Sequence, residues 1–172
     1  MTDQSFEVTP DLRLLVIVRH GEAKGHSAAG DEGRELTARG REDATDVGRW
    51  LVSQGVRPDV AIVSSATRTV QTWEAIRAGG VEADDVRVDR AIYNGTVEDL
   101  VEAISAVPDT ARVALLVGHA PAVPDLALDV ETRCDLPGGW SPATLGVISH
   151  PGPWSGFPTA DTALVACRPR RR

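Results

Sequence analysis

Apolar residues fall along the chain in short unbroken runs, separated by stretches in which they recur every three or four positions. Leu12 to Val18, interrupted only by Arg13, and the unbroken Val60 to Val63 and Val113 to Val117 are these runs. Each is short and rich in β-branched side chains, which predicts a strand covered on both faces. Between them the period changes. From Thr37 to about Gln54, Ala44, Val47 and Leu51 share one face, with Thr37 as cap and Gly55 as stop. Thr67 to Ala78 sets Val70, Trp73 and Ile76 roughly in register before Gly79-Gly80 ends it. Thr96 to Val107 opens on a capping pattern, Thr96 with Asp99 three residues later, and turns Leu100, Val101 and Ile104 inward. A short helix around Val123 to Leu128 follows the third run, and Val86 to Val88 reads as a weak strand at an edge.

The last third differs again. Leu145 to His150 and Ala163 to Cys167 are β-branched runs flanking PGPWSGFPTAD, a connection suited to an antiparallel hairpin. Residues 1–10 read as a loose leader, Ala23 to Glu35 as a surface loop, and the closing RPRRR as a solvated tail. Strands alternating with helices predict an α/β fold: a three-layer sandwich around a mostly parallel sheet with an antiparallel edge hairpin. No repeat or linker divides the 172 residues, so one domain is expected.

Charge and cysteine usage narrow the partners. A formal charge of −7 disfavours nucleic acid and anionic membrane. Cys134 and Cys167 stand far apart in no metal-binding spacing, and reduced thiols are the simpler expectation. The polar, acidic MTDQSFEVTP is not a signal sequence and the apolar runs are too short to span a bilayer, so a cytoplasmic protein is expected.

Against an acidic background, cations are informative. LLVIV runs directly into Arg19-His20-Gly21, AIVSS is followed by Arg68 at a helix start, and VALLV by Gly118-His119. Singly, an arginine after a strand forms a surface ion pair more often than a ligand site, and a histidine after glycine is usually a turn residue. The joint pattern differs: the carboxyl ends of parallel strands share one edge, where open α/β sheets bind ligands. Two arginines and two histidines gathered there suit a compact anion, and phosphate best matches the arginine fork. His20 exceeds what binding requires; flanked by guanidiniums, its ring is expected to stay neutral and nucleophilic. His26 and His150 are expected at the surface, and Trp50, Trp73, Trp140 and Trp154 in core or lid packing.

These residues resemble the histidine phosphatase superfamily, with its phosphoglycerate-mutase-like fold. Val18-Arg19-His20-Gly21 matches its strand-R-H-G signature, Ser64 to Thr72 its S-x-x-x-R-x-x-Q-T segment, and Val117-Gly118-His119 its late V-G-H. Arg34 to Gly40 (R-x-L-T-x-x-G), Ile92-Tyr93-Asn94 and the lack of long insertions are similar to SixA-type phosphohistidine phosphatases. The resemblance implies His20 as nucleophile, Arg19 and Arg68 as phosphoryl ligands with Gly21 beside them, and His119 completing the pocket, without metal or cofactor. Larger members carry a mid-chain acid for the leaving alcohol, whereas Arg90 to Gly95 holds no carboxylate; Glu22 and Asp31 are the substitutes at hand. A phosphohistidine displayed on a protein partner is therefore the implied substrate, and phosphate or sulfate the implied pocket ion. A small-molecule phosphomonoesterase and a non-catalytic phospho-ligand module are the alternatives, with a mutase disfavoured for want of segments to clamp a second phosphate.

Overall fold

The computed structural model describes residues 11–135 and 139–170. Both the expected leader and the last two arginines lie outside them. In chain order the elements are β1 (Leu12–Arg19), α1 (Ala38–Ser53), β2 (Val60–Ser64), α2 (Thr67–Ala78), β3 (Asp85–Asp89), α3 (Val97–Ser105), β4 (Val113–Gly118), α4 (Ala122–Asp129), β5 (Glu131–Thr132), β6 (Leu145–Pro151) and β7 (Ala163–Arg168). Single 3-10 turns sit at Asp31–Gly33 and Trp154–Gly156. The sheet has seven strands in the order β3-β2-β4-β1-β6-β7-β5. β3, β2, β4 and β1 run parallel, while β6 lies antiparallel to both β1 and β7. The α/β class, mostly parallel sheet and antiparallel strand pair are as expected. The pair is not the outermost element, because the two-residue β5 adds to β7 in parallel.

The unbroken apolar strands are explained by a core on each face. Leu15 and Ile17 point to one side, with Leu100 and Ile104 of α3 and Val123 and Leu126 of α4. Leu14, Val16 and Val18 point to the other, with Val47 and Leu51 of α1 and Trp73 and Ile76 of α2. Alternating side chains of one strand thus enter two cores, which is why apolar residues dominate both faces of the central strands. Each large aliphatic side chain contributes about 1.5–3 kcal/mol on burial.

Local signals held where chemistry set them. Thr37 accepts from the Gly40 amide and caps α1. Thr96 and Asp99 form a reciprocal capping box on α3, and Asp99 takes the Thr96 amide at 2.7 Å. Two expectations fail. His150 is fully buried, because β6 continues through it and pairs it with Arg13 while the Trp154–Phe157 segment covers its ring. The basic tail is not wholly solvated: Arg168 ends β7 over the Trp50 ring, and Arg170 reaches Glu22 at 3.5 Å.

Candidate active site

Parallel pairing decides which residues meet. Arg19 ends β1 opposite Gly118 of β4, and the His20 amide donates to the Gly118 carbonyl at 3.0 Å, so the two histidines leave neighbouring strands side by side. Their ring centroids are 5.3 Å apart. β2 lies on the other side of β4 and delivers Arg68 in the first turn of α2, where only 4% of the residue is exposed. Arg19, His20, Arg68 and His119 therefore gather at one edge.

Each of these side chains is held by neighbouring groups, several of them outside the expected site residues. His20 Nδ1 lies 2.7 Å from the Gly21 carbonyl, which can only accept, so Nδ1 carries the proton and Nε2 keeps its lone pair. The Gly21 amide donates to Thr72 Oγ1 at 2.9 Å, and that hydroxyl donates to the Arg68 carbonyl. Gln71 Oε1 takes the Leu36 amide at 2.8 Å. Gln71 and Thr72 are three and four residues beyond Arg68, hence on its face of α2; that spacing was the available signal. Ser64 Oγ meets His119 Nε2 at 2.7 Å. Arg19 donates through Nη1 to the Trp140 carbonyl, which no sequence pattern announces. Gly21 is required for space: a Cβ there would lie 2.6 Å from the Gly40 carbonyl oxygen.

Among the described residues, five buried side-chain polar atoms lack a hydrogen-bond partner. Three of them are Arg19 Nε, Arg68 Nε and His119 Nδ1, nitrogens of this cluster. Unsatisfied buried polar groups are costly, and three of the five converging on one cluster sets this place apart.

Electrostatics agree. Burial, and then the Arg68 and Arg19 charges, lower the His20 pKa to about 4, even though the Gly21 hydrogen bond opposes them. The guanidiniums matter as expected, but desolvation is the larger cause. His119 falls to about 3 through burial, then through His20 and Arg68. Asp31 is pulled down to about 2, first by the Tyr93 hydroxyl and then by Arg68. A carboxylate held ionised in this way is not a proton donor near neutrality, which removes Asp31 from the candidate acids. Glu22 faces the Thr37 hydroxyl at 3.0 Å and Arg170, and His26 is exposed. Cys134 and Cys167 are free thiols.

Residues 15–122, well over half of the chain, match the histidine phosphatase superfamily (branch 1). The chain belongs to this superfamily. An uncharacterized protein of Mycobacterium tuberculosis is 30% identical over 111 residues, spanning 64% of this chain and 68% of that one. The structure of a Nakamurella multipartitia protein assigned as the phosphohistidine phosphatase SixA superposes with a TM-score of 0.77 at 32% identity, covering 92% of this chain and 96% of that one. A protein histidine phosphatase SixA complexed with tungstate shares the fold, with a TM-score of 0.69 at 23% identity over 78% of this chain and 86% of that one. This histidine phosphatase thus has the phosphoglycerate-mutase-like fold of its SixA neighbours, and its R-H-G, mid-chain arginine and late histidine all lie inside the matched region. Among the described residues no helix is long and apolar enough to cross a membrane.

Proposed function

We propose that this histidine phosphatase hydrolyses phosphohistidine on a protein substrate through a phosphorylated His20. One observation carries the reading: a neutral imidazole with a free Nε2 stands beside three buried, unpartnered nitrogens from three different chain segments. The tungstate held by the SixA neighbour is itself a tetrahedral oxyanion, which supports phosphate as the group this cluster takes up.

His20 Nε2 attacks phosphorus, the bond from phosphorus to the leaving nitrogen breaks, and the departing imidazole takes a proton from water. Arg19 and Arg68 hold the equatorial oxygens. Ser64 Oγ lies 2.7 Å from His119 Nε2; with the hydroxyl as donor, His119 Nδ1 carries the hydrogen and donates it to a third oxygen. Water then attacks the phosphorus on His20, releasing inorganic phosphate and restoring Nε2. Phosphoryl transfer asks chiefly for positioning and charge stabilisation, which these groups supply.

Two features favour a phosphoramidate on a protein over a sugar phosphate. Ionised Asp31 offers no proton to an alkoxide, whereas an imidazole departs without one held ready. A cleft of about 580 Å³, lined by Asn94, Thr96, Pro121 and Asp125 and by none of the four cluster residues, lies on the segments that follow Tyr93 and His119. Its carboxylates, Glu98, Asp125 and Asp129, repel polyanionic metabolites. Incubation with labelled phosphohistidine protein and acid-free trapping is expected to capture an acid-labile phosphoenzyme. Turnover of that protein should exceed that of sugar phosphates and p-nitrophenyl phosphate. A marked preference for a sugar phosphate overturns the substrate assignment, and binding with no phosphoenzyme overturns the catalytic one.

A further inference from the structure

Asp31 lies in the 3-10 turn Asp31–Gly33, well along the chain from the end of β1, yet donors converge on it. Arg68 gives Nη1 to its carbonyl at 2.8 Å and Nη2 to Oδ2 at 3.2 Å. The Tyr93 hydroxyl donates to the same Oδ2 at 2.8 Å, and Arg34 Nε to Oδ1 at 3.0 Å. The turn is tied down in its own right, because the Ser65 hydroxyl, three residues before Arg68, donates to Glu32 Oε1 at 2.8 Å.

An exposed ion pair ordinarily contributes little. This one is lopsided: the Asp31 side chain is 53% exposed and that of Arg68 only 5%. Asp31 takes the Nη1–Nη2 edge of the guanidinium from the solvent side. The hydrogen on Nε, which has no partner, belongs to the other edge. Tyr93 braces the arrangement, its ring 5.9 Å from the Arg68 guanidinium carbon and 5.8 Å from the His119 ring centroid. One tyrosine thus touches Asp31, Arg68 and His119.

We propose that Asp31 is a positioning residue for Arg68, fixing the plane of its guanidinium so that the Nε edge meets the phosphoryl oxygens, with Tyr93 as the brace. The proposal rests on Arg68 being a phosphoryl ligand. A buried, long side chain has many rotamers, and each must be suppressed before a fork can meet an oxyanion in one geometry. Because Asp31 stays ionised, it serves here as an acceptor and not as an acid.

The test measures tungstate affinity by calorimetry and turnover of a phosphohistidine protein, with circular dichroism to check folding. Asp31→Ala is expected to weaken tungstate binding and lower kcat/KM by about 10- to 100-fold, the scale of a misplaced catalytic group. Asp31→Asn keeps an oxygen that accepts from Arg68 and is expected to recover part of both losses. Tyr93→Phe keeps the ring and loses only the hydroxyl, so a smaller loss in both readouts is expected; it also serves if Asp31→Ala does not fold. Unchanged or tighter tungstate binding in Asp31→Ala makes the carboxylate a bystander or a competitor and overturns the proposal, with the phosphatase reading intact. An Asp31→Asn variant as impaired as Asp31→Ala in turnover, but binding tungstate like wild type, makes Asp31 a proton donor and also overturns it. Wild type that neither binds tungstate nor turns over phosphohistidine defeats the phosphatase reading, and this proposal with it.

Discussion

The two ends of the sheet each bury imidazole, and they do so in opposite ways. At the end where β1 and β6 pair Arg13 with His150, the ring of His150 is closed. Its Nε2 donates to the Pro153 carbonyl at 2.9 Å, its Nδ1 accepts from the Thr162 hydroxyl at 2.8 Å, and Trp154 and Phe157 cover its faces. At the carboxyl end of the parallel strands, His20 and His119 each spend one nitrogen on the protein and leave the other without a protein partner. Burial lowers the pKa at both ends. The two ends therefore differ in unfilled valence and in how many cations surround the ring, not in depth.

The contrast can be broken in order of effect. His20→Ala should abolish the phosphoenzyme and cost at least about 1,000-fold in kcat, as removing a nucleophile does elsewhere. Its thermal midpoint should move little, so a trapped phosphoenzyme in this variant would place the nucleophile at another residue. Arg68→Lys is expected to lose about 100-fold, the scale of a lost oxyanion donor, because an ammonium cannot reproduce the fork. Near-normal rates would take Arg68 out of the pocket.

His150→Ala reverses the pattern. Losing its ring and two buried hydrogen bonds should cost about 3 kcal/mol of stability, or roughly 6–12 °C in the melting midpoint, with kcat of the folded fraction unchanged. A stable variant with lowered kcat would mean that the two ends are coupled. The smallest effect is the pH profile. A His20 pKa depressed to about 4 leaves the ring neutral as pH falls through 6.5, so the acid limb of kcat/KM should lie near 4. A limb near 6.5 would show that burial and the guanidiniums do not control the ring.

Much of this was legible in the chain because it is set locally or by pattern. The limits of α2, the caps at Thr37 and Thr96, and the edge position of β3 follow from hydrogen-bonding side chains and apolar period, which neighbouring residues largely decide. The burial of His150 is not legible in the chain, since a histidine beside proline carries no local sign that a later segment will fold over it. Ser64, Gln71 and Thr72 were visible as a motif, but their partners, His119, Leu36 and Gly21, lie on other segments and so were not.

By itself the sequence determined the alternation of strands and helices and the arginines and histidines that end three of them, because short apolar runs have few ways to be buried. Only the tertiary structure decided that Gly21 fixes the proton on His20, that burial outranks charge in holding the ring neutral, and that Asp31 grips Arg68. Those outcomes depend on distances between remote segments, to which hydrogen bonds and desolvation are sensitive within a fraction of an ångström and the linear order of residues is blind.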